Sequence, residues 1–149
     1  MKIVVCVKQI QNPEIPPVQF RVDEEAKAVI PVSGLSPVLS PYDEQAVEAA
    51  LRIRDAAGEG SDIEITVVTI APAGARAGIK AALALGADNA VLLSEPTFDG
   101  SGGYVTARNL AETIRAIGDV DLILTGRQAA DWDAGVVGLG IAEILDIPA

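Results

Sequence analysis

Apolar positions along the chain fall into two alternating rhythms. Short, nearly unbroken apolar runs read as strands buried on both faces of a sheet: Lys2–Lys8 (KIVVCVK), Ile63–Ile70 (IEITVVTI), Ala90–Leu93 (AVLL) and Leu122–Leu124 (LIL). Between them, apolar residues recur every three or four positions, the spacing of one helix face. Ala46, Val47, Ala50, Leu51 and Ile53 form such a stripe in a first helix, which Gly58 ends. Ser40-Pro41-Tyr42-Asp43 reads as its start, with Ser40 as N-cap, Pro41 at N1 and Asp43 completing a box-like pattern. An Ala-rich helix is predicted from Gly74 to Leu85, stopped by Gly86. Residues 98–103 read as a Gly/Ser turn. A third helix runs from Tyr104 to Ile117 and presents Ala107, Leu110, Ala111, Ile114 and Ile117. A fourth helical pattern starts at Ala134 and ends at Leu145.

This β-α alternation predicts a three-layer α/β domain with a parallel sheet and right-handed crossovers. Such sheets bind ligands at the carboxyl ends of their strands, where the strand order reverses. If the first and fourth strands flank that reversal, the site collects Lys8 with its neighbours and Gly126 to Gly138. The end of the second strand, Ile70-Ala71, then contributes an edge. A proline-rich excursion, Gln9 to Leu39, follows the first strand. Within it, Val18–Val22 and Ala28–Ile30 flank Asp23–Lys27, which predicts a surface hairpin with a five-residue loop. Ile147-Pro148-Ala149 points toward a further strand.

At 149 residues the chain is expected to form one domain with a real core. Half its residues are apolar, and the mean hydropathy of +0.35 suits a sheet covered on both sides. No apolar run reaches membrane-spanning length, and the chain enters its first strand without a cleavable leader pattern. A net charge of −10 argues against nucleic acid and anionic membranes as partners. A single cysteine excludes an internal disulfide and fits the reducing cytoplasm. There is no histidine, so Ser–His–Asp triads, Cys–His pairs and His metal sites are excluded.

The densest chemistry lies in Asp121–Leu145, DLILTGRQAADWDAGVVGLGIAEIL. A strand, a polar loop and a glycine-bearing helix start together hold anions, because unpaired N–H groups and the helix dipole face the loop. Gly135 and Gly138 allow a phosphate to approach the backbone. The alternative is that these glycines only let the helix pack on the sheet. GVVGLG is not GxGxxG, and no GxxxxGK[ST] occurs. Asp133 is the expected N-cap of the fourth helix, and Asp131 the loop's other acid. Arg127 suits either a phosphate or a neighbouring acid. Trp132 suits either a stacking lid or a bare surface position. Cys6, inside a strand, suits a buried structural thiol.

Four segments share a resemblance: VKQ at 7–9, SPYDEQAVEAALRIRD at 40–55, ALALGADNAVLL at 82–93 and DLILTGRQAADWDAGVVG at 121–138. Together they resemble the beta subunit of electron transfer flavoprotein, in order and spacing along essentially the whole chain. The resemblance implies the Rossmann-like fold of the adenine nucleotide alpha hydrolase type. It implies AMP in this chain, or in electron-bifurcating members a second FAD whose AMP half lies in the same place. It also implies an alpha subunit carrying most contacts to a redox-active FAD, with dehydrogenases as electron donors. The family's nucleotide contacts fall on Cys6, on Ser40, Pro41, Tyr42 and Asp43, and on Ile70. They continue along Gly126, Arg127, Gln128, Ala129, Ala130, Asp131, Trp132, Asp133, Ala134, Gly135, Val136 and Val137. Departures are Ser40 for the family's usual Asn, Arg127 for Lys, Trp132 for Gly or Asp, and Val136 for Gln. Losing that Gln leaves a phosphate more dependent on backbone N–H groups. No catalytic residue and no metal ligand is expected, and the role implied is electron carriage rather than catalysis.

The family subunit is longer, so residues 1–149 are expected to be the N-terminal nucleotide-binding portion of one. A homodimer is expected for such a portion, through an open sheet edge or the apolar arm. Two other readings share the architecture. A sensor of universal stress type usually carries a G-x2-G-x9-G-[ST] motif, which is not placed here. An ATP-splitting enzyme needs an SGG-type loop after the first strand, where this chain has Gln9-Ile10-Gln11-Asn12.

Overall fold

The computed structural model describes residues 1–95 and 102–149; the turn expected at 98–103 lies largely outside these. In chain order the elements are β1 (Lys2–Cys6), β2 (Gln9–Ile10), a 3₁₀ turn (Pro17–Gln19), β3 (Val22–Asp23), β4 (Ala28–Val29) and β5 (Val38–Leu39). Then follow α1 (Pro41–Ala57), β6 (Glu64–Ile70), α2 (Ala77–Leu85), β7 (Asn89–Leu93), α3 (Gly103–Ile117), β8 (Leu122–Thr125) and α4 (Val137–Leu145). Four strands form one parallel sheet in the order β7-β6-β1-β8. The chain therefore builds outward from β1 through β6 to β7, then crosses back to place β8 on the other side of β1. The switch point lies between β1 and β8, where Cys6 stands opposite Thr125.

Alternate residues of the strands point to opposite layers. Ile3, Val5, Ile65 and Val67 pack under α1 and α2 with Val47, Ala50 and Ala82. Val4, Cys6 and Val68 pack under α3 and α4 with Ala107, Leu110, Ile114 and Ile141. This is a three-layer Rossmann-like α/β fold, as the alternation of patterns predicts. Among the described residues, no helix is long and apolar enough to cross a membrane.

Besides shifts of one or two residues at the ends of β1, β6, β7, α3 and β8, three differences from the sequence reading bear on the site. First, α2 begins at Ala77 rather than Gly74. Gly74–Arg76 offers no capping side chain and closes instead as a turn, with Ala75 N–H donating to Pro72 O. The missing cap comes from β2, where Gln9 Oε1 accepts the Gly78 N–H at 3.0 Å. Second, α4 begins at Val137 rather than Ala134. Third, the arm hairpin forms, but Val22 pairs with Val29 and Asp23 with Ala28. Its loop therefore has four residues, Glu24–Lys27, and Val18 lies in the 3₁₀ turn. The two ends of the excursion meet as an antiparallel ribbon, Gln9 opposite Leu39 and Ile10 opposite Val38. This ribbon returns the chain to the carboxyl end of the sheet just where α1 must start.

Candidate functional site

The start of α1 is bonded to the ends of β1 and β8. Ser40 N–H donates to Lys8 O at 2.9 Å, and the Asp43 carboxylate accepts the Lys8 N–H at 2.8 Å through Oδ2. The other oxygen of Asp43, Oδ1, accepts the Gly126 N–H at 3.2 Å. Residues 35 and 83 positions from Asp43 are thus joined by one side chain. Gly126 has no room for a side chain: a Cβ there would strike Asp43 Oδ1 and lie 2.9 Å from the Tyr42 carbonyl carbon.

This arrangement corrects the capping box. Ser40 occupies the N-cap position of α1, but its hydroxyl makes no capping bond. Its Oγ is fully buried without a hydrogen-bond partner. It lies near enough to Asp43 to favour the ionised carboxylate slightly. Asp43 cannot complete the box, because both its oxygens face the strand ends. Burial pushes its carboxyl up to about 6, despite the lowering pull of the Lys8 and Gly126 N–H groups and of the Lys8 charge. Burial also pushes the Cys6 thiol up to about 12, reinforced by the Asp43 charge. Cys6 is only 6 % exposed and sits in the core beneath α3 and α4, so it is an unreactive wall.

After Gly126 the chain folds on itself. Asp133 N–H donates to Ala129 O at 2.7 Å, and Ala129 N–H to Ala134 O at 3.4 Å. Asp133 adopts a left-handed backbone, φ +52°, which ends any helical run through it. Its carboxylate accepts from Gln128 Nε2 at 2.7 Å, so the expected N-cap role is not the one it plays. Gly135 turns toward Arg127 O, 3.1 Å from where a Cβ would stand, and α4 starts two residues later. Among the described residues, no backbone N–H from Ala134 to Leu139 donates to another residue. Six N–H groups in the turn after β8 are thus left without a protein acceptor among the described residues.

Two cations flank this turn. Lys8 Nζ pairs with Asp131 Oδ1 at 2.8 Å, which ties the loop to the end of β1. Among the described residues Arg127 pairs with no acid; its guanidinium carbon lies 5.6 Å from the centre of the Tyr42 ring, within cation–π reach. Trp132 is 79 % exposed. Ile70 ends β6, opposite Leu93, and packs partly against the α3–α4 core layer. It stands two strands from β8, with β1 between them. A concavity at the far end of the sheet is lined by Met1, Lys2, Asp62, Glu64, Asp119 and Asp121. Its four acids make it a poor anion site.

The structure brings the loop, the α1 start and the ends of β1 and β8 together, as the sequence reading groups them. That reading misses the bridging role of Asp43 and the cap given by Gln9. Gln9 had a signal: the first N–H groups of α2 need acceptors, and residues 73–76 contain no Ser, Thr, Asp or Asn. Asp43 had none, since nothing local says that two strand ends 118 residues apart (126 − 8) meet beside it.

A parallel sheet with its switch point beside an unpaired run of N–H groups defines a Rossmann-like α/β domain. The chain belongs to the electron transfer flavoprotein domain family, whose pattern matches residues 29–149. It is 38% identical over 148 residues to the CarD subunit of the caffeyl-CoA reductase–Etf complex of Acetobacterium woodii, covering 99% of this chain and 53% of that one. It is 37% identical to the electron transfer flavoprotein subunit beta of Thermoanaerobacterium thermosaccharolyticum, with the same coverage. Protein FixA of Azorhizobium caulinodans is 38% identical over 151 residues, 99% of this chain and 50% of that protein. The chain thus spans about half the length of the curated relatives it matches. Nothing among these relatives favours a stress-type sensor.

Proposed function

We propose that residues 1–149 form the nucleotide-holding part of an electron-carrier subunit. It binds AMP, or a second FAD through its AMP half. With an alpha subunit it positions FAD for electron transfer from dehydrogenases to an acceptor. The observation that carries this reading is the unpaired N–H run from Ala134 to Leu139 at the β1–β8 switch point. Phosphate oxygens are acceptors without donors, so such a run fits them. The buried Ser40 hydroxyl, also without a partner, suits a ribose or phosphate oxygen. Arg127 supplies positive charge at the rim, while the Lys8 charge is paired with Asp131. Gly126 and Gly135 let the loop backbone close tightly on Asp43 and on Arg127 O, which shapes the turn.

A bound flavin supplies reversible one- and two-electron chemistry. The chain's own part is to bind, orient and exclude water, without covalent catalysis. The name of the Acetobacterium relative, a subunit of a reductase–Etf complex, supports assembly with other subunits. A cytoplasmic location suits the single buried thiol.

The test is mass spectrometry of nucleotide released on denaturing the purified protein, with AMP or FAD expected. Gly135→Leu should abolish retention, since its side chain crowds Arg127 O and alters the turn locally, while the far-ultraviolet circular dichroism of the helices and sheet stays unchanged. Retention at wild-type affinity would remove the phosphate from this turn.

A further inference from the structure

We propose that Asp43 is a positioning residue. Its single carboxylate fixes the ends of β1 and β8 to one another and so sets where the loop after Gly126 stands. The sheet ladder between these strands stops at Cys6 and Thr125. Beyond it, the Val7 N–H turns to β6, donating to Val68 O at 2.9 Å. The Lys8 and Gly126 N–H groups have no strand partner and converge on Asp43 from two sides. Two converging donors need a group that accepts with both oxygens and donates with neither, which among side chains is an ionised carboxylate. An Asn accepts one of the two and turns its own N–H₂ against the other. Gly126 is the matching half, because any side chain there would displace the carboxylate. The loop is then carried rigidly from this point. Arg127 stacks over Tyr42, the neighbour of Asp43, and Gly135 packs on Arg127 O.

The clamp is present only while Asp43 is charged, and its carboxyl is already pushed up to about 6 by burial. The titratable groups that interact with it are Cys6 and Lys8 from the β1 end; Arg127 stacks on the neighbouring Tyr42 instead. Glu44, next to Asp43 on α1, is exposed. Cys6 stays a thiol through this range, and Asp131 is occupied by Lys8. The chain has no histidine. Protonation of Asp43 therefore gives one site a transition near pH 6 that leaves a strand-end N–H without its carboxylate partner. The nucleotide consequence rests on the function proposed above; the clamp itself does not.

Amide resonances of the nucleotide-free protein, followed by NMR from about pH 8 to about pH 4, test this. Those of Lys8 and Gly126 should move together with a midpoint near 6. Those of Gln128 and Gly135, which do not touch Asp43, should follow the same midpoint. All four transitions should vanish in Asp43→Asn. Static Lys8 or Gly126 amides in the wild type, or loop amides that ignore the transition, overturn the proposal without any variant. AMP affinity, measured by calorimetry, should fall several-fold more on acidification in the wild type than in Asp43→Asn, a comparison that cancels the titration of the phosphate. Equal losses in both proteins overturn the coupling. If the amides titrate together but AMP does not bind at any pH, the clamp stands and the nucleotide reading fails.

Discussion

Asp43 is kept at a cost to stability. An aspartate raised from 3.8 to about 6 is less comfortable ionised in the folded protein than in the unfolded chain. Between those values the native state binds the extra proton, so stability falls as pH rises through the window and is level above it. A shift of about two units corresponds to roughly 3 kcal/mol. Urea unfolding of the wild type and Asp43→Asn at several pH values isolates this, because other carboxylates cancel in the difference. The wild type should gain on the variant as pH falls from about 6 to about 4. A difference independent of pH would mean the carboxyl is not strained by burial. The residue scale also explains the mixed fate of the loop residues. Asp131 and Asp133 are engaged by Lys8 and Gln128, partners close in space but set by the loop's own folding.

At the scale of elements, the glycines around α4 are close-packing positions. Gly135 precedes the helix and lies against Arg127 O, 3.1 Å from where a Cβ would stand. Gly138 packs on β8, its missing Cβ pointing at Thr125 Oγ1, 2.6 Å away. Gly140 packs on α3, where a Cβ would stand 2.9 Å from the Ala107 Cβ. Gly140→Ala sets two effects against each other. Helix propensity favours Ala by about 1 kcal/mol. Overpacking two helices whose contact atoms are both Cβ costs about 1–3 kcal/mol. The expected outcome is net destabilisation of about 1 kcal/mol, read by the urea midpoint at unchanged m-value. A stabilised variant would mean that α3 and α4 stand further apart.

For the whole molecule, two surfaces invite association. β8 is a sheet edge, paired with β1 on one side and with no other strand among the described residues. The arm exposes Val18, Phe20, Val22, Val29 and Ile30 together. Open edges and contiguous apolar patches are both interface features. Against them stands a net charge of −10, whose repulsion is short-ranged at physiological salt. These 149 residues expressed alone should therefore associate as concentration rises, which light scattering across a dilution series measures. A monomeric mass throughout would show that the arm and edge are self-sufficient.

The sequence by itself determined the layers of this protein. Helix and strand faces repeat with fixed local periods, so Ala46, Val47 and Ala50 or Ala107, Leu110 and Ile114 declare their buried side without reference to any neighbour. Local stop signals did the same for Gly58, Gly86 and Gly118, each with positive φ at a helix end. The three-layer fold and the general place of the site follow from that order of elements. Tertiary structure decided what the site residues do. Asp43 reads locally as part of a cap, and Asp133 as the start of a helix. Asp43 is taken from that role by the distant Lys8 and Gly126, and Asp133 by Gln128 within its own loop. A buried carboxylate satisfies the donors that the fold brings to it, and which donors those are depends on strand order. Only the folded sheet, with β8 laid beside β1, brings Lys8 and Gly126 to one side chain.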